Sequence, residues 1–348
     1  MKHRWQRTVA VRFMWVLGMS AALQGVAWSA PVSGQLSVTG AVAHAAVHDA
    51  ALLAQLPAST QTVTYASGSG VQTHTYQGAS LWSVLDAAGV LTTPGVKNDV
   101  LNRYVLATGS DGYKVVYSLG ELNPAFGNRP DLVAYAEQVG GQWGGLGADG
   151  LARVTAPGDA KGGRYVSNLV NLDVRASGST TAALGGGAAT SFTVSGQVDH
   201  VATFDLAALQ ALPSITQTVG SNVYTGVSLW DLLNTTVGVT TDASVKNDIL
   251  GMYVVATGSD GYKAVFSMGE LSPSFGNQPD LIAYSVNGQP LGSSGFARIV
   301  VPNDVKAGRY VSNLVSLEVL RASPVPEPGT MVLMLAGVAV VLWTLRKR

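Results

Sequence analysis

This chain carries nearly the same message twice, and that duplication limits its fold more than any other feature. Residues 96–114 (VKNDVLNRYVLATGSDGYK) and 245–263 (VKNDILGMYVVATGSDGYK) agree at 15 of 19 positions. Ser118-Leu119-Gly120-Glu121-Leu122 is answered by Ser267-Met268-Gly269-Glu270-Leu271, and Phe126-Gly127-Asn128 by Phe275-Gly276-Asn277. Residues 164–170 (RYVSNLV) recur unchanged at 309–315. The offset between copies is 156 from His44/His200 to Val63/Val219, 148 from Tyr76/Tyr224, 149 through the central block and 145 at Arg153/Arg298. Copy one therefore has eight extra residues in its 66–74 connection and four in the 140–150 region. Insertions of this kind collect in loops. Each copy has the length of an ordinary domain, so 31–176 and 191–322 are expected to fold as two domains of one kind. The stretch between them, 177–190, is small, uncharged and glycine-rich, which reads as a flexible linker.

Within a copy the pattern is mixed. Residues 36–42 alternate apolar and polar like a strand. Residues 49–55 form a short helix halted by Pro57, repeated at 205–211 before Pro213. Residues 80–88 form a second helix, with Leu81, Trp82 and Leu85 on one face and Gly89 at its end. The apolar runs 104–108 and 113–117 flank Gly109-Ser110-Asp111-Gly112, a hairpin by its turn chemistry. Further strands are expected at 132–135, 152–156 and 166–174. Strands outnumber the short helices, so the expected class is α+β in two tandem copies.

Both ends address the protein out of the cytoplasm. Lys2, Arg4, Arg7 and Arg12 precede an apolar run at 13–23, and small residues follow around Ala27-Trp28-Ser29, a secretory signal peptide within residues 1–30. At the other end Pro324-Val325-Pro326-Glu327-Pro328 precedes an uncharged apolar run, 331–345, and a final Arg346-Lys347-Arg348. At about 1.5 Å per residue this run makes a short span of a hydrocarbon core about 30 Å thick. The basic end would stay cytoplasmic, leaving the body outside. The Pro326-Glu327-Pro328 triplet, short span and basic end resemble the PEP-CTERM sorting tail of exported Gram-negative proteins. That resemblance implies that residues 323–348 are processed by a membrane protease of the exosortase type. It also implies initial anchoring in the inner membrane, a final place in the cell envelope or at the surface, and a link to exopolysaccharide.

The chain as a whole is neutral, but residues 31–323 hold 20 acidic and 14 basic residues, a net charge of about −6. A nucleic-acid partner would call for the opposite sign. There is no cysteine. That excludes disulfides, zinc–sulfur and iron–sulfur sites, and cysteine nucleophiles.

The order of motifs in each copy carries a second resemblance. Tyr76-Gln77-Gly78-Ala79-Ser80-Leu81-Trp82, Asp111-Gly112-Tyr113, residues 153–157 and Gly163-Arg164-Tyr165-Val166 recur as residues 224–230, Asp260-Gly261-Tyr262, residues 298–302 and Gly308-Arg309-Tyr310-Val311. The set resembles the molybdopterin-binding oxidoreductase domain of the sulfite oxidase type. The resemblance implies a molybdopterin whose metal is held by one cysteine thiolate in an early strand, near 62–66 and 218–221 here. It also implies a lysine where this chain has Ser167-Asn168 and Ser312-Asn313. Without the soft sulfur ligand neither a metal nor a cofactor is expected, and redox catalysis is not carried over.

The candidate binding residues come in equivalent pairs. Arg164 and Arg309 stand beside Tyr165 and Tyr310, a guanidinium being suited to an anion; the alternative is a surface ion pair. Tyr113 and Tyr262 follow the hairpin turn, where they line either a pocket or the core. Asp111 and Asp260 sit in Asp-Gly turns, where an aspartate caps the turn. Glu121 and Glu270 are expected to cap turns. No Ser/His/Asp set, carboxylate pair or phosphate loop assembles at useful spacing, so no catalytic residue is assigned. The favoured reading is a membrane-tethered exported protein whose tandem domains bind a small, anionic ligand or a matrix component without redox catalysis. A molybdopterin-dependent oxidoreductase with non-cysteine ligation and a structural, exopolysaccharide-associated surface protein are the alternatives.

Overall fold

A computed structural model describes residues 32–322. The expected signal peptide and the sorting tail with its span at 331–345 lie outside the described residues. Within them, no helix is long and apolar enough to cross a membrane.

Copy one runs through β1 (Leu36–Gly40), β2 (Ala46–His48), β3 (Ala58–Ser67), β4 (Gly70–Ser80), β5 (Arg103–Gly109), β6 (Lys114–Ser118), β7 (Leu132–Val139), β8 (Gln142–Gly144), β9 (Arg153–Thr155) and β10 (Leu169–Ala176). These make two five-stranded sheets, one in the order β2-β1-β10-β5-β6 and one in the order β3-β4-β7-β8 with β9 beside β7. Only the β1–β10 pair in copy one is parallel. Copy two repeats both sheets strand for strand. The architecture is α+β and duplicated, as the sequence pattern predicts.

Local chemistry accounts for the elements. In the helix Leu81–Ala88, the Ser80 hydroxyl accepts from the Ser83 N–H and left-handed Gly89 closes the end. Its buried face, Leu81, Val84, Leu85 and Ala88, packs into the core of copy one. Asp49 and Asp205 cap the two short helices that follow the first hairpins. The last strand starts at Leu169 rather than 166. A turn at Gly162–Arg164 and left-handed Asn168 intervene, and the Asn168 amide bonds to Ser33 N and Ala148 O.

Two expectations need correction, and the copies differ at one further point. The eight-residue insertion is not a loop; it lengthens the β3–β4 hairpin, which is paired from Ala58↔Ala79 to Ser67↔Gly70. Its alternating threonines pair across the strands, Thr62 with Thr75 at 2.9 Å and Thr64 with Thr73 at 3.0 Å. The 177–190 stretch is not free: Leu184 N and Gly186 N donate to Ser259 O, and Ser259 Oγ donates to Gly187 O at 2.6 Å. Lys263 Nζ adds a bond to Ser179 O at 3.1 Å. Its small residues let the backbone lie flat on copy two. Finally, the helix of copy two holds one residue more than its counterpart, counted from Trp230 to Gly238 against Trp82 to Gly89. The extra residue is absorbed as a π-helix over Leu232–Val237.

The copies share their interiors. Leu101 and Phe126 of copy one belong to the core of copy two, and Leu250 and Phe275 of copy two to that of copy one. Gly163 lies against the Phe275 ring and Gly308 against the Phe126 ring, each too close for any Cβ. A further apolar layer joins β5 and β6 to their counterparts, with the Tyr104 and Tyr253 rings 4.5 Å apart.

Candidate functional site

The centre of this seam is a buried, reciprocal network of charges. Ser118 and Glu121 form a capping box at the helix Leu119–Leu122, and Ser267 and Glu270 form its twin at Met268–Leu271. Each serine hydroxyl also crosses to the other copy: Ser118 Oγ donates to Glu270 Oε1 at 3.0 Å, and Ser267 Oγ to Glu121 Oε1 at 2.9 Å. Arg164 donates to Glu121 at 2.7 Å and to both oxygens of Asp159 at 2.8 and 3.0 Å. Arg309 does the same with Glu270 and Asp304. Their stems cross as well. A methyl on Gly120 would stand 2.5 Å from Arg309 Cδ, and one on Gly269 2.7 Å from Arg164 Cδ.

Burial dominates the protonation here. It raises Glu270 to about 7 against the pull of Arg309, with Glu121 adding to the rise. Asp131, fully buried, is also raised to about 7 by burial, and Asp280 rises well above the carboxylate range for the same reason. Neither aspartate's carboxyl oxygens have a hydrogen-bond partner among the described residues. Burial opposes the charge of Arg164, yet Glu121 and Asp159 hold its pKa well above the ordinary value.

Two cavities lie along the same seam. The larger, about 720 Å³, is walled by the β3–β4 hairpin tip from Tyr65 to Gly68, by Asp111, Tyr113, Lys161, Tyr165 and Ser167, and from copy two by Trp230, Asn234, Lys246, Asn247, Ser274 and Phe275. The smaller, about 230 Å³, has the equivalent residues Asp260, Tyr262, Tyr310 and Ser312, with Lys97 and Asn98 from copy one. Two differences account for the volumes. Copy two has the shorter hairpin, Ile215–Val219 with Asn222–Ser228, and Gly186 of the 177–190 strap enters the wall of the smaller cavity.

A reciprocal clasp fixes both walls. Tyr113 OH donates to Gly163 O at 2.7 Å and accepts from Asn247 Nδ2 at 2.9 Å; Tyr262 OH donates to Gly308 O at 2.6 Å and accepts from Asn98 Nδ2 at 2.9 Å. Burial raises both phenols. Tyr165 donates to Ala156 O and packs on Tyr65 with centroids 4.1 Å apart; burial raises its pKa. Tyr310 donates to Val301 O, and burial pushes it up to about 12.

Six of the eight residues singled out from sequence thus line cavities: Asp111, Tyr113 and Tyr165 the larger, Asp260, Tyr262 and Tyr310 the smaller. The aspartates cap their turns, Asp111 Oδ1 accepting from Tyr113 N and Asp260 Oδ1 from Tyr262 N. Arg164 and Arg309 do not join them. Both point into the interior with their donors taken by carboxylates, so neither is a surface ion pair nor an anion grip. Lys161, Lys246, Tyr65, Trp230 and Asn234 were missed. Asn247 and Asn98 carried a signal, standing unchanged in both copies beside a lysine.

The positions that the family resemblance assigns to a thiolate carry hydroxyls. Thr62 and Thr64 are spent on cross-strand pairs, and Asn168 and Asn313 are occupied in left-handed turns. Among the described residues no group of three His, Asp or Glu side chains is placed to hold a metal ion. This donor set does not fit a thiolate-held molybdopterin metal.

Residues 324–348 match the family model of the PEP-CTERM protein-sorting motif. The chain therefore carries the tail of an exported, envelope-sorted protein. Among solved structures it is similar to the sulfane dehydrogenase SoxCD from Paracoccus pantotrophus, at 11% identity over 84% of this chain and 78% of that one, with a TM-score of 0.34. No curated protein matches it in sequence.

Proposed function

We propose that this is an exported binding protein that holds a small ligand in the larger cavity between its two copies, without redox chemistry there. The observation that carries the reading is the cavity itself. At about 720 Å³, lined by aromatic and polar side chains from both copies, it has the size and mixed lining of a small-molecule site. The clasp between Tyr113 and Asn247 supports a pre-formed wall, because it ties one copy to the other at the cavity edge. In this reading residues 31–176 and 191–322 are the two repeat domains and the cavity arises only where they meet. The 331–345 run anchors the precursor in the inner membrane until an exosortase-type protease acts on the tail.

The test is a thermal-shift screen of the mature protein against sugars, sugar acids, carboxylates and amino acids, run beside a Ser274→Trp variant that fills the cavity. A ligand stabilises the state that binds it, by about 2.7 kcal/mol at a hundredfold excess over Kd. At least one compound should stabilise the natural protein and not the filled variant. Stabilisation that survives Ser274→Trp, or none across the panel, overturns the reading.

A further inference from the structure

The larger cavity concentrates cations on an acidic body. Lys161 and Lys246 both face it, one from each copy, and the ion pairs among the described residues are made by arginines and one histidine, none by a lysine. Lys161 Nζ is steered by a single bond to Ser274 Oγ at 3.2 Å, which leaves it donors to spare. The one carboxylate in the lining, Asp111, is engaged through Oδ1 in its own turn. The lining also holds the partly exposed indole of Trp230 and the hydrogen-bonding side chains of Ser167 and Asn234, while the Tyr65 ring is buried against Tyr165 and His74. A ligand that matches every part has an apolar C–H face to lie on the indole, hydroxyls at its edges and a negative charge. That is an acidic sugar.

We infer that the cavity takes a uronic-acid saccharide, its carboxylate between Lys161 and Lys246 and a ring face against Trp230. The inference rests on the cavity being a ligand site. It assigns charge recognition to lysines, since Arg164 and Arg309 are sealed in the interior. It also makes the two cavities unequal. The smaller one lacks the Tyr65 wall and has the 177–190 strap in its lining, so the protein has one saccharide site per chain.

The test is calorimetric titration of the full mature chain with trigalacturonate, maltotriose and sodium sulfate. Trigalacturonate should bind, maltotriose at least about tenfold more weakly, and equimolar sulfate should not displace the saccharide. The double variant Lys161→Gln, Lys246→Gln should lose about tenfold or more in affinity, the scale of a lost charge-assisted hydrogen bond, with melting unchanged. Trp230→Leu should weaken both saccharides. If maltotriose binds equally and the lysine variant changes nothing while Trp230→Leu does, the acidic-sugar inference falls and the cavity reading stands. Binding that neither variant alters moves the site elsewhere and sinks both. Sulfate displacing the saccharide, or no binding of trigalacturonate, overturns the inference.

Discussion

Replacing Asp131 with asparagine isolates one buried proton. Its carboxyl is fully buried, without a hydrogen-bond partner among the described residues, and burial raises its pKa from 3.8 to about 7. Below pH 3.8 folded and unfolded chains both hold the proton. Between 3.8 and 7 only the folded chain does, so this contribution to stability shrinks as pH rises and is gone above the folded pKa. At about 1.36 kcal/mol per unit, the loss across the window is about 4 kcal/mol, of which about 3 falls between pH 5 and 8. Glu270 and Asp280, also raised by burial, add slope of the same sign. The natural protein should therefore become less stable from pH 5 to 8. Asp131→Asn, neutral throughout, should lose about 3 kcal/mol less over that range. Urea unfolding at constant m-value reads the difference. An unchanged slope, or a variant that grows relatively weaker at high pH, would refute the reasoning. The former is what an Asp131 ionised beside Arg164 would give, since both states would then be deprotonated across the whole range.

Three further outcomes follow from the seam and the tail. Arg164→Ala strands Glu121 and Asp159 in the interior and should cost about 3–5 kcal/mol, while affinity for any cavity ligand stays unchanged in calorimetry at a temperature where the variant is folded. Gly308→Ala drives a methyl into the Phe126 ring and should cost about 1–3 kcal/mol. Because that ring belongs to the core of copy two, unfolding read at Trp82 and at Trp230, in variants keeping one or the other, should shift together. Changing Pro326, Glu327 and Pro328 to alanine should alter the mass of the processed tail in a host with the sorting protease and leave the folded body's melting unchanged.

Much of each copy was legible because local chemistry decides it. Ser80 and Gly89 bound a helix, Asp111-Gly112 turns a hairpin, and alternation at 36–40 makes a strand, whatever surrounds them. The duplication predicted that whatever one copy forms the other repeats, and both sheets do recur. What stayed hidden depends on residues distant in sequence. A guanidinium beside a tyrosine suits an anion, yet Glu121, 43 positions away, takes that of Arg164 inward. Lys161 and Lys246 had no local context to raise them above other solvated lysines; only the fold brings them to one cavity. The linker misled through composition. Glycine and alanine stretches are flexible in isolation, but the same small side chains let this one lie against Ser259.

The reciprocity of the seam explains why two such similar copies differ where they do. Serine, glutamate, arginine, glycine and phenylalanine are retained in both because each crosses to the other copy, so changing one leaves a buried charge or a clash across the seam. Two of the three length differences between the copies frame the larger cavity; the third, four residues near 140–150, falls in the β7–β8 hairpin outside either lining. One copy gains a long hairpin that brings Tyr65, and the other gains a single helical residue that becomes a π-turn bearing Asn234. Both additions border the larger cavity, while the smaller receives only the strap. Two length changes meeting at one cavity fit the proposed division of labour: one half-site widened by the long hairpin and the π-turn, the other narrowed by the strap.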